Sequence, residues 1–362
     1  MFSKSTGKFL FMALMFILGA IACTATVCGY VGVEFPVLSF LSGPDIGITL
    51  MFGGAIVAPF PVDPELTPIA VAYKNKKYIA DKIFPRKPVG LQSFKYRSYP
   101  KGLFLTIPET LVGRTGIPNR VELSFTELDS STLDHTLDDG VPIVDIVNAP
   151  KGYNPLAAAV EYLTNLIELD REMRAATLAF DADQYAAANK ATLSGTSQFS
   201  HASSTPIATL TAAMDACFYT PTKWVMGRAV WRYLSQHAEI VKAVNGTLGD
   251  TGIVRLQQMA ELFEIDEIIV GESKYNSANP GQTVVTGQLW GKSLLMFSDD
   301  PTAMPNAGVT FGMTAEFGNR TAGVIDDKDM GMRGGKRVRV GESVRELITA
   351  NDLGYLLSEA VA

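Results

Sequence analysis

The chain has 362 residues, of which 47% are hydrophobic and 19% charged, enough apolar material for about two domains with buried cores. Its 37 acidic residues outnumber its 31 basic ones, and the net charge of −6 argues against a protein devoted to sequence-specific nucleic-acid binding. Three cysteines and three histidines, all scattered, form no disulfide framework or metal motif. The composition therefore favours a protein that is not an enzyme and needs no cofactor or metal.

The N-terminal segment is strongly apolar. No charged residue occurs between Lys8 and Glu34, and this stretch is long enough to cross a bilayer. The lysines ahead of it also give it the character of a secretory signal. Residues 1–50 are therefore interpreted as a removed leader, a wrongly assigned start, a membrane segment using residues 9–33, or a packed apolar arm, and hydropathy leaves these alternatives open.

The next part of the sequence predicts an arm followed by a ribbon. Residues 61–88 begin with three prolines and continue with a short helical pattern, which predicts an extended arm carrying one short helix. From Gln92 to Pro108, alternating side chains and a Pro-Lys-Gly turn signal predict a two-stranded ribbon whose second strand covers 103–107. A lone ribbon is marginally stable in water, so this one should dock onto another surface.

Opposite charges mark the ribbon and the segment after it. Three cations lie on the ribbon: Lys95, Arg97 and Lys101. The stretch 127–145 is acidic and is typical of a solvated loop. An alternative interpretation is that its acids, among them Asp134, Asp138 and Asp139, meet the basic ribbon of a neighbouring subunit.

The clearest element is a long helix over residues 155–180. Asn154 is a good N-cap residue, and Pro155 suits the first helical position. Apolar residues from Leu156 to Phe180 form one stripe, and Arg171 and Glu172 are expected to lie away from it. A helix of ~25 residues is nearly 40 Å long, which predicts a spine. Helices and strands then alternate over 200–300, and two strands follow, Val309–Phe317 and Lys336–Ile348.

The search for chemistry finds only near-misses. Residues 287–293 resemble a phosphate-binding loop but are one residue short and lie within a strand pattern, which predicts a turn or bulge at Gly291. A cluster of four basic residues lies near the C-terminus: Arg333, Lys336, Arg337 and Arg339. Without interleaved aromatic residues, this cluster favours charge pairing within or between subunits over nonspecific nucleic-acid contact.

Taken together, the sequence resembles the major capsid proteins of tailed phages, of the HK97 type. The resemblance covers about residues 60–362. It rests on PVDP at 61–64, IAVAY at 69–73, YIADKIFPR at 78–86, LIELDREMR at 166–174, ATLSGTSQ at 191–198, TFGMTAEFG at 310–318, RGGKRVRVGES at 333–343 and DLGY at 352–355.

The resemblance implies an α+β HK97-like capsid fold with an N-terminal arm, an extended β-hairpin loop, a long spine helix and an α/β axial domain. The arm would cover 51–88 and the extended loop 89–125. The peripheral domain would combine 126–200 with 308–362, and the axial domain would cover 201–307.

The implied function is structural: hexamers and pentamers closing into an icosahedral head around nonspecifically held double-stranded DNA. Implied partners are further copies of the chain, a portal protein and a scaffold or decoration protein; a membrane is not expected. The protein would be found in the virion and, during assembly, in the host cytoplasm. The rivals are a membrane-anchored envelope protein using residues 9–33, and an α/β enzyme built on residues 200–300.

Overall fold

The computed structural model describes residues 61–98, 106–122, 124–246, 249, 251–279, 281–300, 302–305 and 308–362. The interpretations of residues 1–50 and of the turn at Pro100-Lys101-Gly102 lie outside this part of the chain. The described helices are α1 (Leu66–Ala72), α2 (Ala80–Ile83), α3 (Ile143–Val147), α4 (Pro155–Ala179), α5 (Pro206–Ala216), α6 (Arg228–Gln236), α7 (Ala238–Asn245) and α8 (Leu256–Leu262).

The strands belong to two five-stranded sheets and two pairs. They are β1 (Arg86–Val89), β2 (Ser93–Ser98), β3 (Thr126–Ser131), β4 (Leu133–Pro142), β5 (Lys190–Thr192), β6 (Lys223–Gly227), β7 (Glu267–Gly271), β8 (Lys274–Asn276), β9 (Thr286–Gln288), β10 (Leu294–Phe297), β11 (Gly312–Phe317), β12 (Thr321–Asp327), β13 (Gly335–Ile348) and β14 (Gly354–Ser358).

The predicted spine helix is confirmed as α4. The side-chain oxygen of Asn154 accepts hydrogen bonds from the backbone N–H groups of Leu156 (3.0 Å) and Ala157 (3.4 Å), and Pro155 occupies the first turn. The prediction that Arg171 and Glu172 lie on an exposed polar face of this helix is wrong, because both residues are buried. The reason is that the helix is covered by the arm and by the α/β lobe of residues 200–300, which both contact Glu172, as well as by a β-sheet.

The first sheet packs on one side of the spine. β13 is its central strand, with β4 and β12 paired antiparallel to its two edges and β11 paired further along. β1 adds to β11 in parallel. Val338 and Val340 alternate along β13 toward a core that includes Val160 and Leu163 of α4 and Leu66 of α1.

The first strand of the predicted ribbon is confirmed as β2, but its partner is not the expected one. β2 pairs with β3, from Ser93 opposite Ser131 to Ser98 opposite Thr126. Of the expected second strand, residues 103–105 lie outside the described residues, and residues 106 and 107 are in no strand. Only Thr132 separates β3 from β4, so the ribbon extends a strand of the sheet. The acidic stretch 127–145 is consequently two strands and a helix, not a solvated loop.

The second sheet, in the order β5-β14-β10-β6-β7, forms the core of the lobe, and β14 joins it from the C-terminal end of the chain. Two helices, α6 and α7, follow each other directly, because His237 ends α6 and accepts a hydrogen bond from the Glu239 N–H as the N-cap of α7. Gly291, with φ +43°, breaks the strand pattern as predicted. In the arm, α1 and α2 are separate helices where one was expected.

None of the helices within the described ranges is long and apolar enough to cross a membrane. Residues 9–33, on which the membrane interpretation depends, are outside those ranges.

Candidate functional site

One buried carboxylate joins the arm, the spine and the lobe. Glu172 is completely buried. Its oxygens accept hydrogen bonds from the backbone N–H groups of Ile79 (2.9 Å) and Ala80 (2.8 Å) in the arm, and from Ser273 Oγ (3.0 Å) and Trp290 Nε1 (2.7 Å) in the lobe. Four donors from three chain segments therefore converge on one side chain.

Sequence reasoning missed this junction, although a signal was present. Ala175, Ala176 and Ala179 follow Glu172 at helical spacing, and all three are buried. Small residues on one helix face allow other segments to approach closely, and a lone acid on such a face requires donors from them.

A second buried cluster ties the arm to the first sheet. The Glu342 carboxylate accepts hydrogen bonds from Arg86 Nη1 (2.9 Å) and Arg320 Nη2 (2.9 Å), while Arg171 Nη1 donates to Asp81 at 2.6 Å. Burial alone would raise the pKa of Glu342, but the charges of Arg86 and Arg320 outweigh it and hold that pKa below its ordinary value.

Five of the ten predicted contact residues interact within the chain. Lys95 lies 3.5 Å from Glu127 and 3.9 Å from Asp129 on the facing strand, and Arg97 lies over the Phe125 ring. Arg339 makes two 2.7 Å hydrogen bonds to Asp138, and Arg337 pairs with Asp327. Solvent screens ion pairs at the surface, so these pairs constrain the fold only weakly.

The other predicted residues differ. In the described part of the chain, Asp134, Asp139, Arg333 and Lys336 make no ion pair. Lys101 lies outside that part. Asp134, Asp139, Arg333 and Lys336 are thus available for contacts with another molecule.

The segment beyond the ribbon exposes its apolar side chains. Over residues 106–122 there is no helix or strand. The exposed fractions are 93% for Ile107, 85% for Leu111, 88% for Ile117 and 70% for Val121. So much apolar surface on one segment is typical of a contact with another protein.

The lobe contains a serine–histidine pair that is arranged for structure. Ser204 Oγ and His237 Nε2 are 3.1 Å apart. His237 Nδ1 accepts from the Glu239 N–H, so the proton of the neutral ring is on Nε2, and Ser204 donates its own proton to the His201 carbonyl. In this arrangement the histidine donates to the serine oxygen and does not accept the serine proton. Across the described ranges, no cluster of three or more metal-binding side chains occurs.

Sequence comparison decides the family. The major capsid protein of Pseudomonas phage JBD67 is 51% identical over 305 residues, which are 84% of this chain and 99% of the phage protein. This chain belongs to the phage major capsid proteins. The major capsid protein of Burkholderia phage BcepMu is 27% identical over 244 residues, 65% of this chain and 75% of that protein.

A family model agrees with this capsid assignment, and a solved structure shares the fold. The family described as phage major capsid protein E matches residues 176–330. The crystal structure of a phage-related protein from Bordetella bronchiseptica has the same fold, with a TM-score of 0.66 at 21% identity, and the match covers 84% of this chain and 99% of that one. The α+β capsid fold expected from the resemblance is confirmed.

As a capsid protein, the chain is a structural component of the virion and self-assembles into a shell. This family membership favours the capsid interpretation over the envelope-protein and α/β-enzyme interpretations.

Proposed function

We propose that this capsid protein forms hexamers and pentamers, and that these close into an icosahedral head enclosing double-stranded DNA. The observation that supports this proposal is the exposed apolar segment at the end of the ribbon, which the described residues of its own subunit leave uncovered. In a ring of identical subunits, such a projection meets the same neighbouring surface at every position, and the ring closes by rotation.

The proposed domains are those that the sequence resemblance implies. Residues 51–88 serve as the N-arm and 89–125 as the extended loop. Residues 126–200 with 308–362 form the peripheral domain, and 201–307 form the axial domain. The net negative charge disfavours tight binding of the packaged DNA. A portal protein and a scaffold or decoration protein are the proposed further partners, with assembly in the host cytoplasm.

Removing the exposed apolar side chains tests the role of the loop. We expect replacement of Ile107, Leu111, Ile117 and Val121 by serine to abolish assembly, because burial of each such side chain contributes ~1.5–3 kcal/mol to a contact. Stability of the single subunit should change by less than about 0.5 kcal/mol, since these positions are exposed within it. Sedimentation velocity and chemical denaturation measure the two effects.

A matched control replaces four exposed apolar residues elsewhere: Val71, Ile253, Val284 and Val285. This control variant should assemble like the parent protein. Normal assembly of the loop variant would contradict the proposed role of the segment.

The ten charged candidates are proposed as contacts between subunits, and the cations without an ion pair give the cleaner test. We expect Arg333→Glu with Lys336→Glu to weaken assembly at 0.1 M salt and to reduce its salt dependence, because screening shortens to ~3 Å at 1 M. Light scattering across a salt series measures both effects.

The counterpart is Asp134→Lys with Asp139→Lys, which restores the original net charge when combined with the first pair. Recovery of assembly in the combined variant would support contact between the two groups. If reversing Arg333 and Lys336 left both assembly and its salt dependence unchanged, this contact would be wrong.

A further inference from the structure

A pocket of about 550 Å³ lies where the arm meets the lobe. Three exposed cations line it: Lys77 from the arm, Arg228 at the start of α6 and Lys274 at the start of β8. Arg228 is paired at 2.7 Å with Glu272, which lines the same pocket. Lys77 and Lys274 make no ion pair with any described residue. The pocket therefore carries two positive charges that no facing acid compensates.

The acids behind the pocket do not cancel this charge. Lys76 precedes Lys77 in the arm, is exposed and has no ion pair among the described residues. Glu172 is the acid closest to the lining, since it accepts from Ser273 Oγ, and it is completely buried. Even with Glu172 counted as a full negative charge, Lys76, Lys77 and Lys274 leave an excess of two positive charges.

Lys74 is not counted in this excess, although it lies in the same part of the arm. It lines a different pocket, together with Glu168 and Glu316, so acids already face it. The positive surface is thus confined to the pocket between arm and lobe, in a chain whose net charge is −6.

The lining favours a phosphate ligand over a protein partner. Lysine is depleted in contacts between proteins, whose central parts are apolar, and the described lining of this pocket contains no aliphatic side chain. Lysine binds phosphate as a compact point charge. Asn75, Tyr78 and Gln288 add neutral polar groups of the kinds that contact DNA phosphates.

The same lining gives no means of reading bases. Tyr78 provides the aromatic ring of the described lining, and this ring is half-buried, with its hydroxyl donating to Asn165 Oδ1 at 3.3 Å. Bases stack on exposed aromatic faces, whereas phosphate contacts carry no sequence information. A ligand of this pocket is therefore recognised by its phosphate groups alone.

We propose that Lys77 and Lys274 bind backbone phosphate groups of the enclosed double-stranded DNA, regardless of its sequence. The contact is weak in one subunit and repeats in every subunit of the shell, so many such contacts act together. The net negative charge of the chain keeps the rest of its surface from binding DNA tightly. This inference rests on the proposed function, because it names the site at which a DNA-enclosing shell contacts its DNA.

Binding of a short, fluorescently labelled DNA duplex to the unassembled full-length subunit tests the site by anisotropy. We expect Lys77→Gln with Lys274→Gln to weaken binding about tenfold for each lysine at ~0.05 M salt, because each lost phosphate contact releases fewer counterions. The slope of log Kd against log salt concentration should fall by about two. Duplexes of unrelated sequence should bind equally well, and a strong preference for one of them would contradict the proposal.

Two matched variants control for charge and for folding. Lys151→Gln with Lys242→Gln removes the same charge from exposed lysines that have no ion pair among the described residues, and it should bind like the parent because salt screens distant charges. Lys77→Arg with Lys274→Arg keeps the charge and should retain binding. Chemical denaturation establishes that each variant folds like the parent.

Calorimetry with inorganic phosphate distinguishes a free anion from the DNA backbone. We expect no saturation at millimolar concentrations, because a single phosphate lacks the neighbouring phosphates that a duplex supplies. Saturable phosphate binding that disappears in the Lys77→Gln, Lys274→Gln variant would assign the pocket to the free anion and overturn the DNA contact.

Equal duplex binding by this variant and by the Lys151→Gln, Lys242→Gln control would also overturn the DNA contact. The proposed function would still stand if electron microscopy of the parent protein shows shells. Absence of shells in the parent would overturn the proposed function together with this inference, because there would be no enclosed DNA for the pocket to bind.

Discussion

Glu172→Ala is expected to lower the free energy of unfolding of this capsid protein by about 3–5 kcal/mol, one of the two largest effects among the single substitutions considered. The substitution leaves the Ile79 and Ala80 N–H groups, the Ser273 hydroxyl and the Trp290 indole without their acceptor in a site closed to water. Arm, spine and lobe would each lose a connection to the other two. Chemical denaturation of the unassembled subunit measures the change.

Glu161→Ala is the matched control, because Glu161 lies on the same helix and is exposed. It should change stability by less than about 0.5 kcal/mol. Glu172→Gln should fall between the two variants, because an amide keeps one accepting oxygen but places its own donors among the four that converge there. Equal stability of the Glu172→Ala and Glu161→Ala variants would show that Glu172 does not hold the junction.

Replacing Glu342 should have a comparable effect. The Glu342 side chain is fully buried, and Glu342→Ala leaves the Arg86 and Arg320 guanidinium groups without the carboxylate between them. Breaking a buried ion pair by removing one partner costs about 3–5 kcal/mol. Denaturation of the unassembled subunit at neutral pH again measures the loss.

The same carboxylate predicts a pH dependence with a definite sign. Because the pKa of Glu342 is lower in the folded state, its contribution is complete above the unfolded value of about 4.3 and is lost as pH falls through the folded pKa. Asp81 shifts in the same direction, since Arg171 and Arg86 outweigh the opposing effect of burial on its pKa. Acidification below about pH 4 should therefore destabilise the protein, and less so in Glu342→Gln.

Glu122→Gln removes an exposed carboxylate without an ion pair among the described residues and serves as the control for this pH series. It should retain the acid sensitivity of the parent. A Glu342→Gln variant as sensitive to acid as the parent would exclude the buried cluster as the source of the effect.

The extent to which sequence predicts this fold depends on the distance over which each signal acts. The spine helix was predictable because its cap, its first-turn proline and its apolar spacing all lie within the helix. The turn at Gly291 was equally local. The partner of β2 was not, because a nearby turn signal favoured residues 103–107, whereas the strand that pairs with it is fixed by β4 in the sheet.

Buried polar residues were also difficult to predict, because their partners lie far away in the sequence. A glutamate such as Glu172 is usually solvated on a helix, and only the arrival of Ile79, Ser273 and Trp290 from distant positions makes its burial favourable. Likewise, Asp138 gave no sign of its partner, since Arg339 lies 201 residues away in sequence. The family was recognisable from sequence because many short local matches combine.

Negative-stain electron microscopy of the purified full-length protein tests the central claim most directly. Closed shells, or rings of five and six subunits, are the expected result. Single subunits that remain monodisperse at every protein and salt concentration would contradict the account of a self-assembling shell protein.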